Sequence, residues 1–290
     1  MFDRRCEVVG HRDLGSGVRL LSFRDQEMAA GVRPGTFVML ETRPASDQMV
    51  ASPVLPRPFS VQRVRGDILD VMYRIVGVGT SAMTELRTGD TPRILGPLGN
   101  SFTLPSTDET AVLLGGGVGI PPMVALADAL VARDGAAARF EAYLGVSGTA
   151  DRGCMVGFDE GFGPESRHAD RVFRATMDGS IGFHGHVVAA WLDRWESSGL
   201  RPDGPVRLYA CGPMVMLRAV AAAAKERGLP AEVSVETMMG CGIGICMGCV
   251  IENKHYDGSG NPYDRWLLAC RKGPVFDSDA IILDDGGLLH

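Results

Sequence analysis

Residues 238–249 read MMGCGIGICMGC, and this stretch constrains the chain more than any other. Three of the protein's seven cysteines fall in it, with glycine before them at position 240 and between them at 242, 244 and 248. Glycine at that density costs too much backbone entropy for a stable helix and leaves too few side chains to pack a strand. The segment needs something to gather its thiols.

With Cys270 the spacing becomes C-x4-C-x2-C-x20-C, from Cys241, Cys246 and Cys249 onward. Four thiolates suit a tetrahedral zinc ion or an iron–sulfur cluster. C-x4-C-x2-C followed by a distant Cys is the spacing of a plant-type [2Fe–2S] cluster. Zinc ribbons pair two C-x2-C knuckles, whereas the first interval here is four and no His lies between Cys241 and Cys249. A [2Fe–2S] cluster on Cys241, Cys246, Cys249 and Cys270 is the expectation, with structural zinc and unliganded thiols as the alternatives. Gly242, Gly244 and Gly248 would let the loop wind round the cluster and aim amides at its sulfurs. Cys6, Cys154 and Cys211 are scattered, and read as core filler or, for Cys211, as a small residue in a nucleotide loop.

An odd cysteine count argues for reduced thiols and not for a disulfide framework. The opening MFDRRCEVVGHRDLG breaks each apolar run with charge, so no signal peptide is expected and the protein reads as cytoplasmic. The longest uncharged apolar run, residues 111–127, falls short of the roughly 20 residues of a membrane span and is broken by Gly and Pro. A net charge of −6 without a cationic run leaves no footprint for nucleic acid.

The 290 residues divide into three regions. Residues 1–104 alternate short β-like runs with turns and predict an antiparallel β-barrel. From 105 to 233 apolar strands alternate with helical stretches, predicting an α/β domain on a parallel sheet. Residues 234–290 are Cys-rich and irregular, a small C-terminal cluster module.

Two pairs of loops carry candidate chemistry. LPRPFSV at 55–61 sets Arg57 beside Pro on a strand; YRIVGVGTSAM at 73–83 follows, with Gly77 and Gly79 permitting tight backbone and a helix expected from Thr80. An arginine and helix-start amides could share one pyrophosphate. LLGGGVGIPPM at 113–123 joins a buried strand to a helix, the context of a dinucleotide loop, although Pro122 replaces the last Gly of G-x-G-x-x-G. YACGPMVML at 209–217 repeats the design; two such loops at strand carboxyl ends form the crevice where an α/β sheet binds its ligand. The six histidines are scattered, and HGH at 184–186 reads as a helix start and not a ligand pair.

Taken together, an RPxS barrel, a GGGxGxxP sheet domain and YxCGPxxM resemble the ferredoxin–NADP reductase superfamily. VETMMGCGIGICMGC and LACRKGPVF are similar to the electron-transfer subunits of type B dihydroorotate dehydrogenase, and the resemblance covers essentially the whole chain. It implies FAD on Arg57, Pro58, Phe59 and Ser60 and on Arg74, Ile75, Val76, Gly79 and Thr80. It implies NAD at Gly115, Gly116, Gly117 and Gly119, with Thr176, Asp178 and Gly179 of TMDGS and with Cys211, Gly212 and Pro213. Ser60 and Cys211 are the positions it assigns to catalysis.

The implied activity is an oxidoreductase passing electrons from dihydroorotate oxidation, through the cluster and FAD, to NAD in pyrimidine biosynthesis. The implied partner is an FMN-containing catalytic subunit, in a heterotetramer of two plus two. Similar subunits serve NAD(P)H:ferredoxin or sulfide dehydrogenase complexes, and a non-enzymatic redox-sensing or zinc-binding module is the alternative of another class. The segment 42–54 ahead of the RPFS motif looks longer than the resemblance requires.

Overall fold

The computed structural model describes residues 1–42, 55–161, 169–197, 199 and 201–283. Most of the long segment before the RPFS motif lies outside them, as do His168 and His290.

Seven strands build the first sheet: β1 (Phe2–Arg5), β2 (Glu7–Gly15), β3 (Val18–Arg24), β4 (Phe37–Leu40), β5 (Arg57–Arg65), β6 (Ile68–Arg74) and β7 (Arg93–Leu98). Their order is β1-β7-β4-β5-β6-β3-β2, and every pairing is antiparallel. Gly15, Ser16 and Gly17 turn the β2–β3 hairpin at φ +88°, +48° and +73°, a left-handed path that glycine takes without steric cost. The two edge strands are consecutive in the chain, and Cys6 N and Val8 N donate to Pro92 O and Asp90 O at 3.1 and 2.8 Å, closing the barrel. Leu21, Phe23, Val38, Leu40 and Val71 fill it. Two short helices cross its rim, α1 (Gln26–Gly31), capped by Asp25, and α2 (Val78–Met83). β1 had no signature in the sequence because FDRR is a charged, mostly exposed edge.

The second sheet runs β11-β10-β9-β8-β12-β13-β16. Its strands are β8 (Thr110–Gly116), β9 (Phe140–Val146), β10 (Val172–Thr176), β11 (Phe183–His184), β12 (Val206–Cys211), β13 (Ala231–Ser234) and β16 (Val275–Asp277). All neighbours are parallel except β13 and β16. β8 is buried along its whole length, as a central parallel strand with both faces covered must be. On one face lies α3 (Ile120–Asp134), with Pro in its first turn and Gly135 just past its end. On the other lie α5 (Val187–Glu196) and α6 (Met214–Arg227), packed through Trp191, Leu217 and Val220. His186 caps α5 by accepting from Ala189 N at 3.1 Å, so the HGH stretch is a helix start. A four-residue helix, α4 (Val156–Asp159), follows β9.

Beyond β13 the thiol module holds the hairpin β14 (Val250–Glu252) and β15 (Trp266–Leu268) and the one-turn helix α7 (Ala269–Lys272). The chain then returns to the second sheet as β16, a strand the sequence did not announce. Asn100 anchors that return: its Nδ2 donates to Val275 O at 2.8 Å and its Oδ1 accepts from Val275 N at 3.0 Å. Among the described residues no helix is long and apolar enough to cross a membrane.

The two glycine loops touch backbone to backbone. A Cβ at Gly119 would lie 2.5 Å from the carbonyl carbon and oxygen of Cys211 and from Gly212 N. Backbone on both sides cannot yield as a side chain can. Gly119→Ala is expected to destabilise the protein by about 1–3 kcal/mol, as overpacking does, read from denaturant unfolding at unchanged m-value.

Candidate functional site

A cavity of about 380 Å³ opens where the barrel meets the carboxyl edge of the second sheet. Pro58, Phe59 and Ser60 of β5 and Tyr73 of β6 form its barrel wall, and Cys211 and Ser234 its sheet wall. Arg57, at the start of β5, reaches the α2 turn: a Cβ at Gly79 would stand 3.2 Å from its Nε. α2 begins at Val78, two residues before the predicted Thr80. The Thr80 hydroxyl, at the third position, reaches back to hold the lead-in to the helix, accepting from Val76 N and Gly77 N at 2.9 and 3.1 Å, and leaves the first helical amides to a ligand. Arg57 and the Val76–Thr80 turn therefore share one corner, and Val76 and Thr80 line the cavity. Ile75 packs its side chain against the barrel core and donates its N–H to Gly17 O at 2.8 Å.

Arg74 stands between this cavity and a second one of about 420 Å³, lining both. Its Nη1 donates to Asp151 Oδ1 at 2.9 Å, so its charge is already partnered within the protein. The second cavity lies at the carboxyl ends of β8, β9 and β12, walled by Gly116, Gly117, Gly145, His186, Pro213 and Met216. Of the predicted glycines, Gly116 and Gly117 face it. Gly115 is turned onto Ile120 and Met123, and Gly119 onto Cys211. Gly212 backs Gly116.

The TMDGS residues are placed otherwise than the sequence implied. Thr176 is buried, its hydroxyl donating to Ile181 O at 3.1 Å and accepting from Ile181 N at 3.0 Å, which makes it the clasp of a turn. Asp178 accepts from the Ser180 hydroxyl and amide at 2.6 and 3.0 Å, and these bonds hold its carboxyl below the usual range. Neither these two nor Gly179 lines the cavity; Met177 of the same loop does. The Thr176 hydroxyl and Asp178 Oδ1 are thus engaged within their own turn, while the Asp178 side chain stays exposed.

Ser60 and Cys211 both face the first cavity. Burial, reinforced by the nearby Glu236 carboxylate, pushes the Cys211 thiol far up, so it stays protonated. Two residues without an assigned role join them. Glu236 stands in the open space of the cavity, yet is sunk among protein atoms, and that burial pushes its carboxyl above its ordinary 4.5. Thr237 Oγ1 is buried with no hydrogen-bond partner. An orphaned hydroxyl beside an elevated carboxyl fits a polar ring system with its own donors and acceptors, as an isoalloxazine has. The only signal for Glu236 in the sequence was its place in VETMM.

The thiols follow at once along the chain: Thr237 and Met239 line the cavity, and Cys241 comes two residues later. Burial raises the Cys241 thiol, but amides of Cys246, Ile243 and Ile245 outweigh it and bring it down to about 6. The donors from Cys246 and Ile243 lie 3.4 and 3.5 Å from its Sγ. Burial and the adjacent Cys249 push Cys270 up to about 12, and Cys270 N donates to Cys249 Sγ at 3.5 Å. The thiols thus associate as Cys241 with Cys246 and Cys249 with Cys270. Among the described residues no three His, Cys, Asp or Glu side chains converge as a single metal ion requires. Two pairs of thiols with amides aimed at sulfur fit a two-iron cluster, one pair to each iron, better than one zinc.

This is the build of a flavin and nicotinamide reductase that carries its own iron–sulfur domain. A solved structure described as an NADH-dependent reduced ferredoxin-NADP oxidoreductase shares the fold at a TM-score of 0.77 and 24% identity, over 97% of this chain and 91% of that one. A ferredoxin reductase in carbazole 1,9a-dioxygenase does so at a TM-score of 0.61 and 20% identity, over 79% and 67%. Residues 236–282 match the iron–sulfur cluster binding domain of dihydroorotate dehydrogenase B. The dihydroorotate dehydrogenase B (NAD(+)) electron transfer subunit of Geobacillus thermodenitrificans is 34% identical over 96% of this chain and 98% of its own. That of Listeria monocytogenes is 32% identical over 98% and 100%. The chain belongs to the family of dihydroorotate dehydrogenase B electron transfer subunits.

Glu236 supplies a test by pH. A carboxyl whose folded pKa is raised stabilises the fold fully below its unfolded value, and that contribution is lost as pH rises through the folded value. In flavin-stripped protein, the melting temperature should therefore fall as pH rises above 4.5. Glu236→Gln should remove that part of the slope, as thermal melts of both proteins across the range would reveal.

Proposed function

We propose that this chain carries electrons from a dihydroorotate-oxidising FMN subunit to NAD. The observation that supports this most directly is the shared wall: Glu236, Thr237 and Met239 border the first cavity and Cys241 follows within about 7 Å of extended chain. Bound there, FAD exchanges a hydride with NAD and single electrons with the [2Fe–2S] cluster, a conversion that a nicotinamide alone cannot make.

The chain's own residues hold and separate these groups. Arg57 and the start of α2 present cation and backbone amides to the flavin's phosphates, while Phe59, Ser60 and Cys211 border its ring. Gly116 and Gly117 admit the dinucleotide, and Pro213 closes the far side. Cys241, Cys246, Cys249 and Cys270 hold the cluster. The three working units are taken as 1–104, 105–233 and 234–290, with β16 a strand lent by the third to the second. An FMN barrel takes about 250 residues, more than the three units leave room for. A separate catalytic subunit supplies it, in a two-plus-two complex, and the free cysteines suit the reducing cytoplasm.

Met238, Ile245 and Met247 are 66%, 76% and 51% exposed around the exposed Cys246. Large apolar side chains beside a redox centre suit a docking face. Ile245→Glu should weaken capture of the FMN subunit at least about tenfold, the scale of losing a central apolar anchor, while NADH still reduces the flavin at the wild-type rate. Cys246→Ser should lose the broad visible cluster absorption but keep bound FAD and NADH-driven reduction of two-electron dyes. The deciding assay is NAD-dependent oxidation of dihydroorotate by the two subunits together. Ferredoxin or sulfide-linked turnover without orotate formation would move the chain to the other complexes of this build.

A further inference from the structure

The barrel and the second sheet meet along β5 and α3. Among the described residues, Arg63 is the one Lys or Arg the fold buries, with 7% of its side chain exposed. It leaves β5 and crosses to α3, where Nε donates to Asp128 Oδ2 at 2.7 Å and Nη2 to Asp128 Oδ1 at 3.0 Å. Nη2 also donates to Gly157 O at 3.1 Å. Gly157 is wedged in turn: a Cβ there would lie 2.6 Å from Val124 Cγ2 of α3 and 3.0 Å from Gln62 Nε2 of β5. Strand β5 and helices α3 and α4 are pinned at one point. Arg65, Asp70 and Glu160 complete the charged surroundings of the pair.

Both pinned elements run on into the site. β5 carries Pro58, Phe59 and Ser60 of the first cavity, and three residues at about 3.3 Å each put Ser60 about 10 Å from Arg63. α3 begins where Gly116 and Gly117 line the second cavity and Val118 and Pro121 the first. Eight residues at about 1.5 Å rise put its start about 12 Å from Asp128. The pair therefore governs how far the dinucleotide loop lies along the strand that walls the flavin cavity. Apolar contact is non-directional and tolerates sliding between packed surfaces. A fork with two parallel hydrogen bonds tolerates one register.

A buried ion pair is a poor device for stability, because well-packed apolar replacements are often neutral or stabilising; its best use is to fix register. We propose that Arg63 and Asp128 are positioning residues that set the alignment of nicotinamide against flavin, and that the fold does not need them for its stability. This rests on the reading that the two cavities hold FAD and NAD.

The test replaces the pair by apolar side chains of similar reach, Arg63→Met with Asp128→Leu, and separately loosens it with Arg63→Lys, which keeps the charge but not the fork. Four quantities are followed in the holoprotein: melting temperature, FAD and cluster content, NADH dissociation constant, and the stopped-flow rate of flavin reduction with its long-wavelength charge-transfer absorbance. The double variant should melt within about 4 °C of wild type and keep its cofactors and NADH affinity. Its flavin reduction should slow at least about tenfold, since a misplacement near 1 Å costs up to about a hundredfold, and its charge-transfer band should weaken. Arg63→Lys should fall between. In cofactor-free protein, amide exchange should quicken at 117–120 and stay unchanged in β12. An unchanged reduction rate, or a rate that falls only as melting temperature or FAD content falls, would overturn the proposal. Wild-type protein whose flavin NADH does not reduce would overturn the underlying reading and the proposal with it.

Discussion

Gly119 lies against the carbonyl of Cys211 at a separation that admits no side chain, and the arrangement of the rest follows from it. The loop after β8 and the loop after β12 can meet there only because parallel strands end at the same edge of the sheet. Their meeting brings Val118 and Pro121 to the first cavity and Gly116, Gly117 and Pro213 to the second. The two cavities share Arg74 in their linings, and neighbouring cavities let two bound rings approach to the contact that a hydride transfer requires.

Charge is distributed to suit that geometry. Arg74, at the boundary of the two cavities, is matched by Asp151, and Arg63, behind the boundary, by Asp128. In the first cavity burial raises both the Glu236 carboxyl and the Cys211 thiol. Just past Met239 the sign reverses, as amides bring Cys241 down to about 6.

Much of the site was legible because it is written in contiguous motifs. Three of the four cysteines, the Arg57–Ser60 strand, the Gly116–Gly117 turn and the Pro213 loop each lie within one short stretch, and the structure sets Pro58, Phe59, Ser60, Gly116, Gly117 and Pro213 on cavity walls. TMDGS is less distinctive, because a local turn uses Thr, Asp, Gly and Ser as readily as a ligand does, and here Thr176 and Asp178 Oδ1 bond within the turn. Arg74 was legible as a cation beside the flavin loop but not as the partner of Asp151, 77 positions away.

By itself, the sequence determined most of the strands and helices, though not β1 or β16, through apolar period and through Gly and Pro at their ends, and which residues have the chemistry for thiolate ligation. Those properties are local, set by a few neighbouring side chains and backbone angles. Only the tertiary structure decided that β16 would return to the sheet, that Thr237 would be buried without a partner, and that Glu236 would stand in the cavity with its carboxyl raised. It alone decided the meeting of Arg63 with Asp128. Desolvation and pairing depend on which atoms from distant positions surround a group, and no local pattern encodes that surrounding.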